Sequence, residues 1–434
     1  MKTFEELRNI HKSFNYNSYN IIKNEKTIEI NYQYSIDDLD SFTTTWTFPY
    51  SVSYDEEILD RLVFSLGLTE AISYYKITCS KYVNIKCGYM SKDKEGFWKK
   101  LFYNGLGEFM YINNIEVSKD DLFSFVYIDN KDPILHDKNT YNGVLIPVGG
   151  GKDSCVSLEL LKDEKAATYC INPNNTITNI INKCDIKNNI TVKRVYDRKM
   201  LEYNKQGYLN GHTPFSAIVA FSSCISALLN GYKYIALSNE SSANETTVKG
   251  SFVNHQYSKS LEFENDFIFY IKNLCDSDIH YFSFLRPLKE IQIAYLFSKS
   301  PKYFDIFRSC NVGSKTGEWC CNCAKCLFVY IILTPFIKEE ELIKIFGKKV
   351  LDNKELEKDF KGLIGESENK PFECVGERDE VVMALSNYTK NSKSILTNRY
   401  KFNSNVDVYD YVKKHFDNNN NVPENYLSKI KEAL

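Results

Sequence analysis

Residues 144–160, VLIPVGGGKDSCVSLEL, constrain the fold of this chain more than any other stretch. An apolar, β-prone run enters three glycines, Gly149, Gly150 and Gly151. Lys152, Asp153 and Ser154 follow, and then apolar residues at helical spacing. Strand, glycine loop and helix start together make the geometry that holds phosphates. Glycines let the backbone approach without a Cβ, and free N–H groups at a helix N-terminus point at the anion. The usual NTPase loop places Ser or Thr after Gly-Lys, whereas here Asp153 follows. A carboxylate beside a phosphate loop repels the ligand unless it holds a cation. Asp153 is therefore assigned to Mg²⁺, Ser154 and the loop amides to phosphate, and Lys152 to charge developing on the departing phosphates. The competing reading is an ordinary glycine-rich strand-to-helix turn.

A chain of 434 residues exceeds one ordinary core, so two or three domains are expected. With 43% hydrophobic and 25% charged residues, wholesale disorder is excluded. A net charge of −2 and a pI near 6.4 argue against generic polyanion binding, so no nucleic-acid partner is expected. The first residues, MKTFEELRNIHKSF, lack the apolar centre of a signal peptide, and no run approaches the ~18 apolar residues of a membrane span. A soluble, cytoplasmic chain without membrane insertion is expected. In such a chain thirteen cysteines point to metal binding or reactive thiols more than to disulfides.

The N-terminal part shows strand-like runs at 27–34 and 43–50, a helical pattern near 56–66, and a second helix running into a loop over 67–80. The polar stretch 129–142 reads as a connection. From 143 to about 332, strand-like runs (144–148, 166–171, 191–195, 234–237) alternate with helical patterns, which implies a parallel sheet with helical crossovers. Thr213 is expected to cap a helix with Pro214 at its first position and Gly231 at its end. Ligands of open α/β sheets bind beyond the carboxyl ends of the strands. Three loops should converge there: 149–154, the stretch after Ile171 with Asn172, and 238–244 with Asn239 and Glu240. Beyond 332 the pattern is mainly helical, apart from a low-complexity loop at 418–421. The expected fold class is α/β: an N-terminal α+β domain over 1–138, a parallel-sheet domain over 139–335 and a mainly helical region over 336–434.

Cys310, Cys320, Cys323 and Cys326 have the spacing C-x₉-C-x₂-C-x₂-C, four thiolates able to wrap one tetrahedral metal. A closed structural zinc site is expected, with an iron–sulfur cluster as the alternative. Cys321 is the odd thiol and is expected to pack or face outward.

The glycine loop resembles the pyrophosphate (PP) loop, SGGxDS, of enzymes that split ATP into AMP and pyrophosphate, with Gly149 in place of the first Ser. A similar cysteine pattern follows that loop in 7-cyano-7-deazaguanine synthase, which uses it to adenylate a carboxylate. Five further motifs narrow the resemblance: NGHTPFSA (210–217), SNESSAN (238–244), NHQYSKSLEFE (254–264), WCCNCAKCLFVYIILTPF (319–336) and KPFECVGE (370–377). With them the chain resembles the MurL family of UDP-N-acetylmuramoyl-L-alanyl-L-glutamate epimerases, strongly over about 140–380 and weakly through 67–80. The resemblance implies a PP-loop (adenine nucleotide alpha hydrolase-like) domain, ATP and Mg²⁺ as cofactors, and inversion of a terminal L-glutamate to D-glutamate in peptidoglycan precursor synthesis. A muramoyl ligase that adds L-glutamate is then the functional partner.

An ATP site in an epimerase has a chemical reason. The acylated nitrogen of this glutamate cannot form a Schiff base, and its anionic α-carboxylate opposes loss of the neighbouring Cα proton. Adenylation removes that charge, and the enolate formed next needs cationic or N–H donors on its oxygen. Two groups should flank Cα. Cys374 is the first candidate, with Glu373 and Glu377 beside it, and its alternative role is core packing. His255 is the second, as base or phosphate ligand. His212, Asn172, Asn239 and Glu240 are candidates for nucleotide or Mg²⁺, against the alternative of structural or solvated polar groups. The rival functions are another AMP-forming PP-loop enzyme, deazaguanine-synthase-like or tRNA-modifying, and a non-catalytic nucleotide sensor.

Overall fold

The computed structural model describes residues 2–130, 141–244, 253–367, 370–404 and 406–434. The chain forms two compact units. The first comprises Met1–Leu145, Ile190–Ile235 and Phe252–Tyr281; the second comprises Ile146–Asn189, Ala236–Ser251 and Phe282–Leu434. The expected boundary at 138/139 falls outside the described residues.

In the first unit, strands β1 (Ser13–Lys23), β2 (Thr27–Ile36) and β3 (Asp40–Pro49) make an antiparallel meander. It is continued on one side by β4 (Tyr82–Ile85) and β5 (Ser124–Val126), both paired parallel. Alternation dictates the buried face: Ile28, Ile30, Tyr32, Tyr34 and Ile36 of β2 are core, as are Phe42, Trp46 and Phe48 of β3. β1 went unread in the sequence because asparagines interrupt its apolar alternation. The expected pair of helices over 56–80 is a single helix, Glu56–Tyr75, capped by Asp55, whose carboxylate accepts from the Glu57 and Ile58 amides. Gly67 does not break it. A Cβ there would stand 2.1 Å from the Tyr16 hydroxyl, so this glycine lets the strand tyrosines lie against the helix. The Tyr32 and Tyr34 hydroxyls donate to the Val63 and Gly67 carbonyls at 2.9 and 2.7 Å. The helix Phe215–Asn230 begins one residue later than expected: Pro214, not Thr213, is the cap, and Thr213 instead offers its carbonyl to the Phe215 amide. Gly231, at φ 73°, closes that helix as expected.

The neighbouring strands run β10-β9-β6-β7, with β6 at Val144–Pro147, β7 at Ala166–Ile171, β9 at Tyr234–Leu237 and β10 at His280–Ser283, and the division between the units falls within β6, β9 and β10. β6 and β9 pair parallel. The third expected strand of this region, β8 (Asn188–Tyr196), also pairs antiparallel with β3. The strands are therefore mixed, not purely parallel, within an α/β fold. The chain beyond 332 is helical as expected, including Glu339–Phe346, Arg378–Tyr388 and Glu424–Ala433. Among the described residues, no helix is long and apolar enough to cross a membrane.

Candidate active site

The glycine loop leaves the carboxyl end of β6 in the second unit. Gly150 has φ +88°, a backbone state that requires glycine, and its carbonyl accepts from the Arg308 amide at 2.9 Å. Gly151 is the N-cap of the helix Lys152–Leu161, and no side chain caps that helix. Its first-turn N–H groups and dipole are thus arranged for an anion. A Cβ on Gly151 would lie 3.0 Å from the Ser309 hydroxyl, which is buried and has no hydrogen-bond partner among the described residues. The Ser154 hydroxyl donates to the Gly151 carbonyl at 2.9 Å. Gly149 is exposed, with open space where a Cβ would stand.

Lys152 is fully buried, and its ammonium bonds Asp153 and Glu290. Burial works against that charge, yet the two carboxylates overcome it and hold the ammonium above its ordinary range. Asp153 stays partly exposed. Glu290 is buried, and burial, with Asp153 and Glu240 close by, pushes its carboxyl up to about 7 against the pull of Lys152 and Lys325. Glu240 lies beyond β9, buried, with its carboxylate accepting from Ser242 at 2.9 Å and its carbonyl from the buried Arg286 at 2.6 Å. Asn239 donates to Ser283 at 3.0 Å. Asn172 lies exposed at the end of β7 with φ +45°.

The PFECVGE segment packs onto this cluster. The Cys374 carbonyl accepts from Lys325, Glu377 pairs with Lys289, and a Cβ on Gly376 would meet Glu290 Cγ at 2.9 Å. Cys374 is half-buried. Glu373, with Lys358, Lys370 and Asn322, lines a cleft of about 650 Å³. Glu377 also caps the helix Arg378–Tyr388. Glu290, Lys325 and Lys289 were missed in the sequence, since a charged residue ahead of an apolar helix carries no local signal of what it will meet.

The four expected cysteines converge. The Cys310 and Cys320 sulfurs lie 3.8 Å apart, those of Cys320 and Cys326 3.5 Å, and all four, with Cys323, gather within 4.8 Å. Cys321 is buried outside this set and donates to the Phe346 carbonyl at 3.2 Å. The cluster begins directly after Arg308 and Ser309, the residues that touch the glycine loop.

His212 and His255 lie in the first unit, brought together on a residue the sequence did not single out. His255 Nδ1 bonds Glu108 Oε2, His212 Nδ1 is 3.7 Å from the same oxygen, and the two rings are 4.6 Å apart. Burial, then the neighbouring His255, pulls His212 down to about 4. A lone glutamate in the apolar run GEFMYI was the available signal for Glu108.

The family model described as MurL N-terminal domain matches residues 5–284, and MurL C-terminal domain matches residues 306–400. The chain belongs to the MurL family. A relative from Micromonospora sp. is 31% identical over 336 residues, covering 76% of this chain and 74% of its own length. One from Xanthomonas oryzae pv. oryzae is 32% identical over 336 residues, covering 74% and 73%, and one from Salinispora tropica is 31% identical over 365 residues, covering 80% and 78%. Each of these MurL-family relatives is named UDP-N-acetyl-alpha-D-muramoyl-L-alanyl-L-glutamate epimerase. No solved structure matches the chain.

Proposed function

We propose that this protein is an isomerase that inverts the terminal L-glutamate of UDP-N-acetylmuramoyl-L-alanyl-L-glutamate, using ATP and Mg²⁺ through a PP-loop site. The observation that carries the reading is the uncapped helix start after Gly149–Gly151, with the orphan Ser309 hydroxyl aimed at it, in a chain whose relatives are named for this epimerisation. ATP supplies the adenylyl group that converts the α-carboxylate to a mixed anhydride with loss of pyrophosphate. In this reading the amides of the loop, Ser154 and Ser309 bind the phosphates. Lys152 turns from Glu290 toward the departing pyrophosphate, and Asp153, with Glu240 nearby, holds Mg²⁺. Cys374, flanked by Glu373 and Glu377, takes or returns the Cα proton on one face, and Lys325 stands ready for the enolate oxygen. Reprotonation of Cα on the opposite face, followed by hydrolysis of the anhydride, then releases AMP and the inverted product. The cysteine sulfurs fit a closed tetrahedral zinc site that ties the Ser309 segment down.

The test uses purified protein, the UDP-muramoyl dipeptide substrate, ATP and Mg²⁺ in D₂O. Expected are substrate-dependent AMP, D-glutamate after hydrolysis, and deuterium at Cα. Cys374→Ala should retain AMP release while losing exchange and inversion. AMP without inversion in the wild type would move the reading to another AMP-forming enzyme. Nucleotide binding without any AMP would favour a sensor.

A further inference from the structure

We propose that Glu108, His212 and His255 in the first unit form a binding site for a divalent transition metal of the zinc class, separate from the cysteine cluster. The three donors come from three distant segments: the helix Gly107–Ile112, the loop ahead of Phe215, and the turn ahead of the short 3₁₀ helix Tyr257–Lys259. Their ligand atoms lie within 4.8 Å of one another. Glu108 is only 8% exposed and sits between buried Gly107 and buried Phe109 and Met110. An unpaired carboxylate there would carry a large desolvation cost. Both imidazoles turn their Nδ1 atoms to one oxygen of that carboxylate, and His212, at 3.7 Å, is too far for a hydrogen bond but close enough to share an ion. Two imidazole nitrogens and a carboxylate oxygen are a borderline donor set suited to zinc-class cations, and three protein ligands leave a coordination position open.

The surrounding residues hold this set in place, as outer shells of metal sites do. Asn113 donates to the Asn210 carbonyl at 3.0 Å and to the Phe109 carbonyl at 2.7 Å, joining the loop that carries His212 to the helix that carries Glu108. Lys76 donates to the Gly211 carbonyl at 2.5 Å. Gly211 rests so close to Phe109 that a Cβ would lie 3.1 Å from its ring. On the third segment, the Asn254 side chain accepts from the Gln256 amide at 2.7 Å and fixes the turn holding His255. His255 serves here as a ligand and not as a carbon base.

The experiment titrates metal-stripped, reduced full-length protein with Co²⁺ and, separately, counts Zn²⁺ per chain by mass spectrometry. Wild type should take one metal with intense thiolate charge-transfer absorption and a second with weak d–d bands only. His212→Ala with His255→Ala should lose the second metal and keep the thiolate band, which also reports that the second unit is folded. Glu108→Gln, which removes the anionic ligand, should weaken the second site by more than the roughly 10–100-fold that loss of an outer-shell partner costs. Wild-type protein that binds metal only through thiolates overturns the proposal, whether or not the variants fold. So does a double variant that keeps both metals. Neither readout depends on epimerase turnover.

Discussion

Two buried ion-pair clusters in this molecule are built from similar groups and do opposite things. In the first unit, Glu70 is fully buried and fully answered: Trp46 Nε1 donates to it at 2.9 Å, and Arg194 makes a two-pronged pair at 2.7 and 2.6 Å. Such a bidentate pair, with Trp46 as a third donor on the same carboxylate, fixes β3 and β8 against the helix Glu56–Tyr75. In the second unit, Lys152 is shared between Asp153 and Glu290, a third carboxylate on Glu240 lies near, and Glu290 is left only half inclined to ionise. One cluster is closed and serves the fold. The other crowds carboxylates beside an uncapped helix N-terminus, where a cation would relieve the carboxylates and so let a phosphate take the free N–H groups.

Substitutions can break this contrast. The largest effect is expected for Lys152→Met, which should slow substrate-dependent AMP release by about 10²–10³-fold, the usual cost of removing one donor at developing charge. A near-normal rate would remove Lys152 from the chemistry. Glu70→Gln leaves Arg194 buried without its countercharge and should cost about 3 kcal/mol of stability in a denaturant titration. The AMP rate per folded molecule should stay unchanged, and a rate loss without destabilisation would reverse the assignment of the two clusters.

Glu290→Gln sharpens the comparison through pH. The folded state raises the Glu290 carboxyl from 4.5 to about 7, so the proton is held more tightly in the folded than in the unfolded chain. The stability this contributes is complete below about pH 4.5 and is lost as pH rises through about 7. Thermal unfolding of the wild type should therefore fall across that window, and Glu290→Gln should flatten the fall. An unaltered slope would show that another group carries it. The smallest effects compare two glycines with positive φ, Gly150 and Gly231. Alanine at either should cost roughly 1–2 kcal/mol for the left-handed backbone. Only Gly150→Ala should also slow AMP release.

Legibility in the sequence followed the range of the interaction. Gly150, Gly151 and Lys152 were readable because strand, loop and helix start are contiguous, and the four cysteines because metal geometry restricts their spacing. Gly67 misled, since its cause is the approach of Tyr16 from β1 onto the helix and not a local turn. The antiparallel pair that accompanies the expected parallel strands was hidden for a related reason: β8 alternates like any half-buried strand, and alternation within one strand does not name β3 as its neighbour. Thr213 had the chemistry of a cap, yet the chain bends one residue later, at Pro214.

By itself the sequence determined the elements whose physics lies within a few residues: the glycine turn and helix start, the cysteine cage, and the alternation of β2 and β3. Its motifs also pointed to the MurL family. Tertiary structure alone decided which charges meet. Glu290 reaches Lys152, and His212 and His255 close on Glu108, because buried carboxylates take whatever donors the packed backbone brings within reach. That choice is made by long-range packing, which no local pattern of residue types encodes.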